Sequence, residues 1–201
     1  MKKYMLNQFE YYGIQSPLRK EITGTFFNEN GLPEASILES VITDLWNKDE
    51  RECQYIAMFI LDKFVKKADK ERIDFYEDLI LRKSWWDTVD GIAPSMLGPH
   101  FKKYPELITP YTNKWLASGN MWLQRTCILF QLKYKQEVDT ELLNSFILHL
   151  NDSKEFFIRK AIGWMLREYS KTNPGWVREY ISSTPMSALS SKEGLKWMNK
   201  K

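Results

Sequence analysis

The residues able to do chemistry gather in three short stretches of this 201-residue chain. The first is Ser84-Trp85-Trp86-Asp87-Thr88-Val89-Asp90. On a helix, Trp86 and Asp90 stand one turn apart, as do Trp85 and Val89, so the two pairs point in different directions. Periodicity alone leaves open which pair faces the core. Trp85 and Val89 are assigned to packing, Trp86 and Asp90 to an open groove. An indole face and an ionised carboxylate side by side are groups that stabilise positive charge. Ser84 and Asp87 have capping-box spacing, which gives Asp87 a structural role at the helix N-terminus.

The second stretch is Asn120-Met121-Trp122-Leu123-Gln124-Arg125. Asn120 reads as an N-cap. Arg125 falls in the second turn, among Leu123, Ile128 and Leu129. It is either a snorkelling surface arginine or a ligand for phosphate. The third stretch runs from Phe156 to Arg167. Phe157, Lys160 and Trp164 share one helical face, and Arg167 follows Trp164 by three. Trp164 is either simply core or an indole set beside cations. Gly163 inside a helix costs about 1 kcal/mol relative to Ala, so it marks a close approach, by another helix or by a nucleic-acid backbone.

Helices must position these residues. Apolar side chains recur at three and four over 35–47 (Ile37, Leu38, Val41, Ile42, Leu45, Trp46) and over 51–66. The same spacing predicts helices near 70–83, 84–101, 105–117, 120–136, 139–150, 154–171, 174–183 and 189–199, with two more near 3–12 and 17–28. Pro17, Pro33, Pro105, Pro174 and Pro185 fall at predicted starts, where a missing N–H costs little. Pro94 kinks or splits segment 84–101. No segment alternates like a strand. Helix pairs recur about every 35 to 45 residues, the rhythm of HEAT-type repeats. The expected fold is all-α: a right-handed α-α superhelix of HEAT-like antiparallel helix pairs, stacked because no pair buries its apolar face alone. Residues 1–201 read as a single such domain; a compact helical bundle is the alternative.

Composition bounds the function. Hydrophobic residues are 43% and charged residues 27%, an ordinary soluble balance. No apolar run approaches the roughly 18 residues of a membrane span. Met1-Lys2-Lys3-Tyr4 lacks a signal-peptide core, so a cytoplasmic location is expected. Net charge is +3, which permits a nucleic-acid partner without requiring one. Cys53 and Cys127 lie in apolar helical patterns and read as buried thiols. His100 and His149 are too few for a zinc site, and no glycine-rich phosphate loop is present. No metal or organic cofactor is expected.

SWWDTVD at 84–90, W-x-A-S-x-N-x-W-L-Q-R at 115–125 and S-K-E-F-F-I-R-K-A-I-G-W-M-L-R-E-Y at 153–169 together resemble the DNA alkylation repair glycosylases, the AlkD-like HEAT-repeat family. Y-G-I-Q-S-P-x-R at 12–19 and L-W-x-x-x-E-R-E at 45–52 add to the match, which spans nearly the whole chain. The resemblance implies a concave, positively charged face that binds double-stranded DNA. It implies hydrolytic release of N3- and N7-alkylated purines. It puts the family's catalytic tryptophan and aspartate on Trp86 and Asp90, its second cleft tryptophan on Trp164, and its backbone-binding arginine on Arg125. Tyr4 and Gln15 match positions that face DNA. Lys133, Lys160 and Arg167 are weaker matches, as phosphate contacts. Family members commonly carry a further helix before the position of Tyr4, so the first repeat reads as incomplete.

The residue types suit that reaction. A purine alkylated at N3 or N7 is cationic and leaves as a neutral molecule. The general acid of an ordinary glycosidase is then unnecessary, and one carboxylate suffices. Asp90 would stabilise the positive charge growing on the deoxyribose and orient the water, aided by indole faces worth about 0.5–2 kcal/mol each. The expected partner is duplex DNA containing alkylated purines, with no obligate protein partner and a monomeric enzyme acting at the bacterial nucleoid. The competing readings are a HEAT-repeat protein that binds DNA without catalysis and a protein-interaction scaffold.

Overall fold

The computed structural model describes residues 1–200. Among them the backbone is all-α: twelve α-helices joined by short turns, with one isolated bridge between Glu10 and Glu50 in place of any strand. Two compact units are present, residues 1–69 and the residues from 70 onward.

The first unit holds α1 (Ser16–Asn30), α2 (Leu38–Asn47) and α3 (Arg51–Phe64). The helix predicted near 3–12 shrinks to one 3-10 turn, Lys2–Met5. Leu6 and Asn7 follow at φ 52° and 58°, and consecutive left-handed residues cannot continue a right-handed helix. The chain then runs extended, its Glu10 carbonyl accepting the Arg51 N–H at 2.9 Å. Leu38, Ile42 and Trp46 of α2 are buried, as are Ala57, Ile60 and Leu61 of α3, and the two helices pack together.

A buried acid joins the two N-terminal motifs. Glu52, 1% exposed, accepts the backbone N–H groups of Tyr12, Gly13 and Ile14 at 3.0–3.2 Å. Three amides around one carboxylate satisfy a charge that would otherwise be costly to bury. Gly13 sits at φ 90°, a conformation that favours glycine. Arg19 lies 4.3 Å from the centre of the Tyr55 ring. Motifs 12–19 and 45–52 are therefore two halves of one arrangement that sets the start of α1.

The second unit holds α4 (Arg72–Leu81), α5 (Trp86–Ile92), α6 (Gly98–Lys103), α7 (Ile108–Ala117), α8 (Met121–Leu129), α9 (Thr140–Leu150), α10 (Phe156–Tyr169), α11 (Pro174–Ser183) and α12 (Ala188–Leu195). Helix α8 is central and packs on α4, α5, α7, α9 and α10. From Trp122 to Leu129 every residue but Gln124 is buried. It stops at Leu129, short of the predicted 136, and turns follow. The expected split of segment 84–101 falls at Pro94: Ala93–Leu97 form one wide π turn between α5 and α6. A π turn spaces its hydrogen bonds five residues apart, which accommodates the missing N–H. Gly98 follows because a Cβ there would lie 2.6 Å from the Phe130 carbonyl oxygen. Cys53 and Cys127 are both buried free thiols.

Candidate functional site

Helix α5 starts later than its capping-box spacing predicts. Trp85 is extended at the N-cap (φ −159°, ψ 163°), with no side-chain cap. Ser84 instead donates its hydroxyl back to the Ile80 carbonyl at 2.5 Å, serving the end of α4. Asp87 keeps the first-turn position that suits the helix dipole. The extended backbone separates the two tryptophans. Trp85 joins Trp122 of α8 and Phe157 of α10 in an aromatic cluster, with ring centres 5.6, 5.3 and 5.1 Å apart. Trp86 opens α5 and is half-buried, one turn before Asp90. Val89 is fully buried. The assignment of Trp85 and Val89 to packing agrees with these contacts.

Asp90 is held by a fork. Arg125 donates Nε–H to Oδ1 at 2.7 Å and Nη2–H to Oδ2 at 2.8 Å. Its Nη1 donates to the Phe157 carbonyl of α10. The arginine side chain is 3% exposed and the carboxylate 14%. Arg125 is thus no snorkelling residue. Because α8 is surrounded by other helices, the arginine has no solvent to reach. Three of its five N–H bonds are committed to Asp90 and Phe157, leaving two. Burial pushes the Asp90 carboxyl above its ordinary range, opposed by the hydrogen bonds and charge of Arg125, while neighbouring Asp87 raises it further. Each carboxylate oxygen keeps a lone pair beyond the one Arg125 uses.

On α10, Lys160, Trp164 and Arg167 fall on one face. Trp164 is half-buried. Lys160 meets the Glu193 Oε2 of α12 at 2.5 Å, and Arg167 meets Oε1 of the same carboxylate. Glu193 is 5% exposed. Burial, then the charges of Arg167 and Arg125, hold the Lys160 ammonium below its ordinary range. Helices α5 and α10 both pack on α8; Arg125 ties Asp90 to the start of α10, while Lys160 and Arg167 pair with Glu193 of α12. Gly163 permits this arrangement. A Cβ there would lie 2.6 Å from Glu193 Cβ and 2.8 Å from the Ser190 carbonyl oxygen, so the close approach is by a helix.

The remaining expected residues are dispersed. Lys133 is exposed beyond α8 and donates to the Ser95 hydroxyl in the π turn at 2.8 Å. Tyr4, 76% exposed, and Gln15, exposed at the N-cap of α1, belong to the first unit. Glu193 escapes sequence reasoning because no local pattern ties it to residues 26 and 33 positions earlier. Trp122 and Phe157 were detectable in part: Trp122 precedes Arg125 by three, on one face of α8. Among the described residues, no three His, Cys, Asp or Glu side chains group to hold a metal ion, and no helix is long and apolar enough to cross a membrane.

Comparison with known proteins bears on this geometry. No curated protein matches the chain. A solved structure described as a predicted DNA alkylation repair enzyme from Enterococcus faecalis superposes with a TM-score of 0.90 at 31% identity, over 100% of this chain and 94% of that one. The family model for DNA alkylation repair enzymes matches residues 1–198, which include Trp86, Asp90, Arg125 and Trp164. A match of that extent shows that the chain belongs to the DNA alkylation repair enzyme family.

Proposed function

We propose that this protein is a DNA glycosylase that hydrolyses the N-glycosidic bond of cationic N3- and N7-alkylated purines in duplex DNA. The observation that carries the reading is the partly exposed Asp90 carboxylate, fixed by the Arg125 fork. A rigid carboxylate costs little reorganisation when positive charge appears nearby, which is the basis of electrostatic catalysis. Bond cleavage leaves the electron pair on the departing purine, which becomes neutral. The deoxyribose turns cationic, is stabilised by Asp90, and is captured by water, whose surplus proton passes to the Asp90 carboxylate or to solvent. Trp86 and Trp164 would offer ring faces to the cationic sugar or base. Lys160, Arg167 and Lys133 would face phosphates, and Tyr4 and Gln15 would be further DNA contacts. Arg125, which the resemblance puts on the DNA backbone, would act through Asp90, because at 3% exposure it offers a phosphate no direct contact.

The test is release of 7-methylguanine and 3-methyladenine from methylated duplex DNA. Asp90→Asn keeps the shape and removes the charge, so release should fall by about 10²-fold or more while duplex binding persists. Release at the parent rate would remove Asp90 from the mechanism. One observation favours a second reading, a duplex-binding protein without catalysis: both Asp90 oxygens already accept hydrogen bonds from Arg125. That reading predicts salt-dependent binding and no base release by the parent protein.

A further inference from the structure

The first unit carries a feature that the proposed reaction does not use. An apolar groove of about 620 Å³ opens between α1, the turn after it, and helices α2 and α3. Its walls include Ile22, Phe26, Leu32, Val41, Leu45 and Ile56. Helix α1 buries only Thr23. It is held on α3 by Phe27 stacking on Phe59 at 6.0 Å and by Arg19 against Tyr55. Its other apolar residues, Leu18, Ile22 and Phe26, form a stripe at i, i+4 and i+8, each 51–55% exposed. A stripe of that length covers about 12 Å along the helix axis, the footprint of a helix laid alongside.

The α1–α2 side of the groove is acidic, while on the α3 side Lys63 stands 4.9 Å from the centre of the Phe59 ring. Residues 21–47 contain Glu21, Glu29, Glu34, Glu39 and Asp44, and no Lys, Arg or His. All five carboxylates are exposed, and Asp44 lines the groove itself. This stretch carries −5 within a chain of net charge +3. Such a rim repels the DNA backbone and anionic membranes, and attracts cations. Apolar walls with an acidic rim match an amphipathic helix whose polar face is basic.

We propose that this groove is a docking site for a protein partner, which presents a cationic amphipathic helix to α1 and α2. The apolar walls supply the contact area, and the five carboxylates select the sign of the partner's charge. This inference is independent of the glycosylase reading, since every residue in it lies outside the groups assigned to the reaction.

The probe is a synthetic helical peptide with Leu at i, i+3, i+4 and i+7 and Lys on its polar face. Its control has the same Leu positions and Glu in place of Lys. Binding to the full-length protein is followed by fluorescence anisotropy. The Lys peptide should bind at least about tenfold more tightly at low salt, and the gap should narrow as added salt screens the rim. Ile22→Ser with Phe26→Ser should abolish binding of the Lys peptide. Both side chains are half or more exposed, so the helical circular-dichroism signal should be retained. Glu29→Lys with Glu34→Lys should shift preference toward the Glu peptide. Equal binding of the two peptides, binding of neither, or self-association of the protein lost in the Ser variant would each overturn the proposal. The last outcome would give the groove to a second copy.

Discussion

At the scale of the residue, the proposed reaction rests on the pair of Asp90 and Arg125. The carboxyl is raised from its ordinary 3.8 by burial, against the opposing pull of Arg125. In the proposed reaction the ionised form is the working one, so base release should fall as pH drops through a pKa above that value. Arg125→Gln removes the influence that lowers the pKa. The acid limb of the rate profile should then move further toward neutral, measured as single-turnover release against pH. The same change leaves a largely buried carboxylate without its cation. Stability should fall by about 3 kcal/mol or more in urea titration. A variant with an unmoved acid limb would show that the titrating group is not Asp90.

At the scale of the element, glycines separate packing from propensity. Gly163 and Gly24 both lie within helices. A Cβ at Gly163 meets Glu193 Cβ at 2.6 Å and the Ser190 carbonyl oxygen at 2.8 Å, and the backbone of α12 cannot yield cheaply. Gly163→Ala should destabilise the protein by about 1–3 kcal/mol, the usual range for overpacking. At Gly24 a Cβ meets nothing within 4 Å. Gly24→Ala should therefore stabilise by up to about 1 kcal/mol through helix propensity. Thermal denaturation of both variants checks the opposite signs.

At the scale of the whole molecule, the groups assigned to the reaction lie in one of the two compact units. Trp86, Asp90, Arg125 and Trp164 all belong to the second, which has a core of its own. Ile80, Ile92, Phe101, Ile128, Leu143 and Leu166 within it are almost wholly buried. A fragment spanning 70–201 should accordingly fold alone and unfold cooperatively, seen as one sigmoidal urea transition in its helical signal. A gradual, unstructured melt would show that its core is insufficient without residues 1–69.

The sequence by itself determined the all-α class, most helix positions, the Asn120 cap and the family. These follow from apolar spacing, prolines and contiguous motifs, all of them local signals. The Asn120 side chain does accept the Trp122 and Leu123 N–H groups at 2.9 and 3.2 Å. Only the tertiary structure decided what Arg125 and Gly163 are for. Spacing along one helix does not reveal how many neighbours surround it. Arg125 became the partner of Asp90 because α8 is enclosed by other helices, and Gly163 became a seat for α12. The same limit hid Glu193 and the cradle around Glu52, where hydrogen bonds join residues 26 to 40 positions apart. Contacts at that separation leave no periodic mark on the sequence, so the fold alone assembles them.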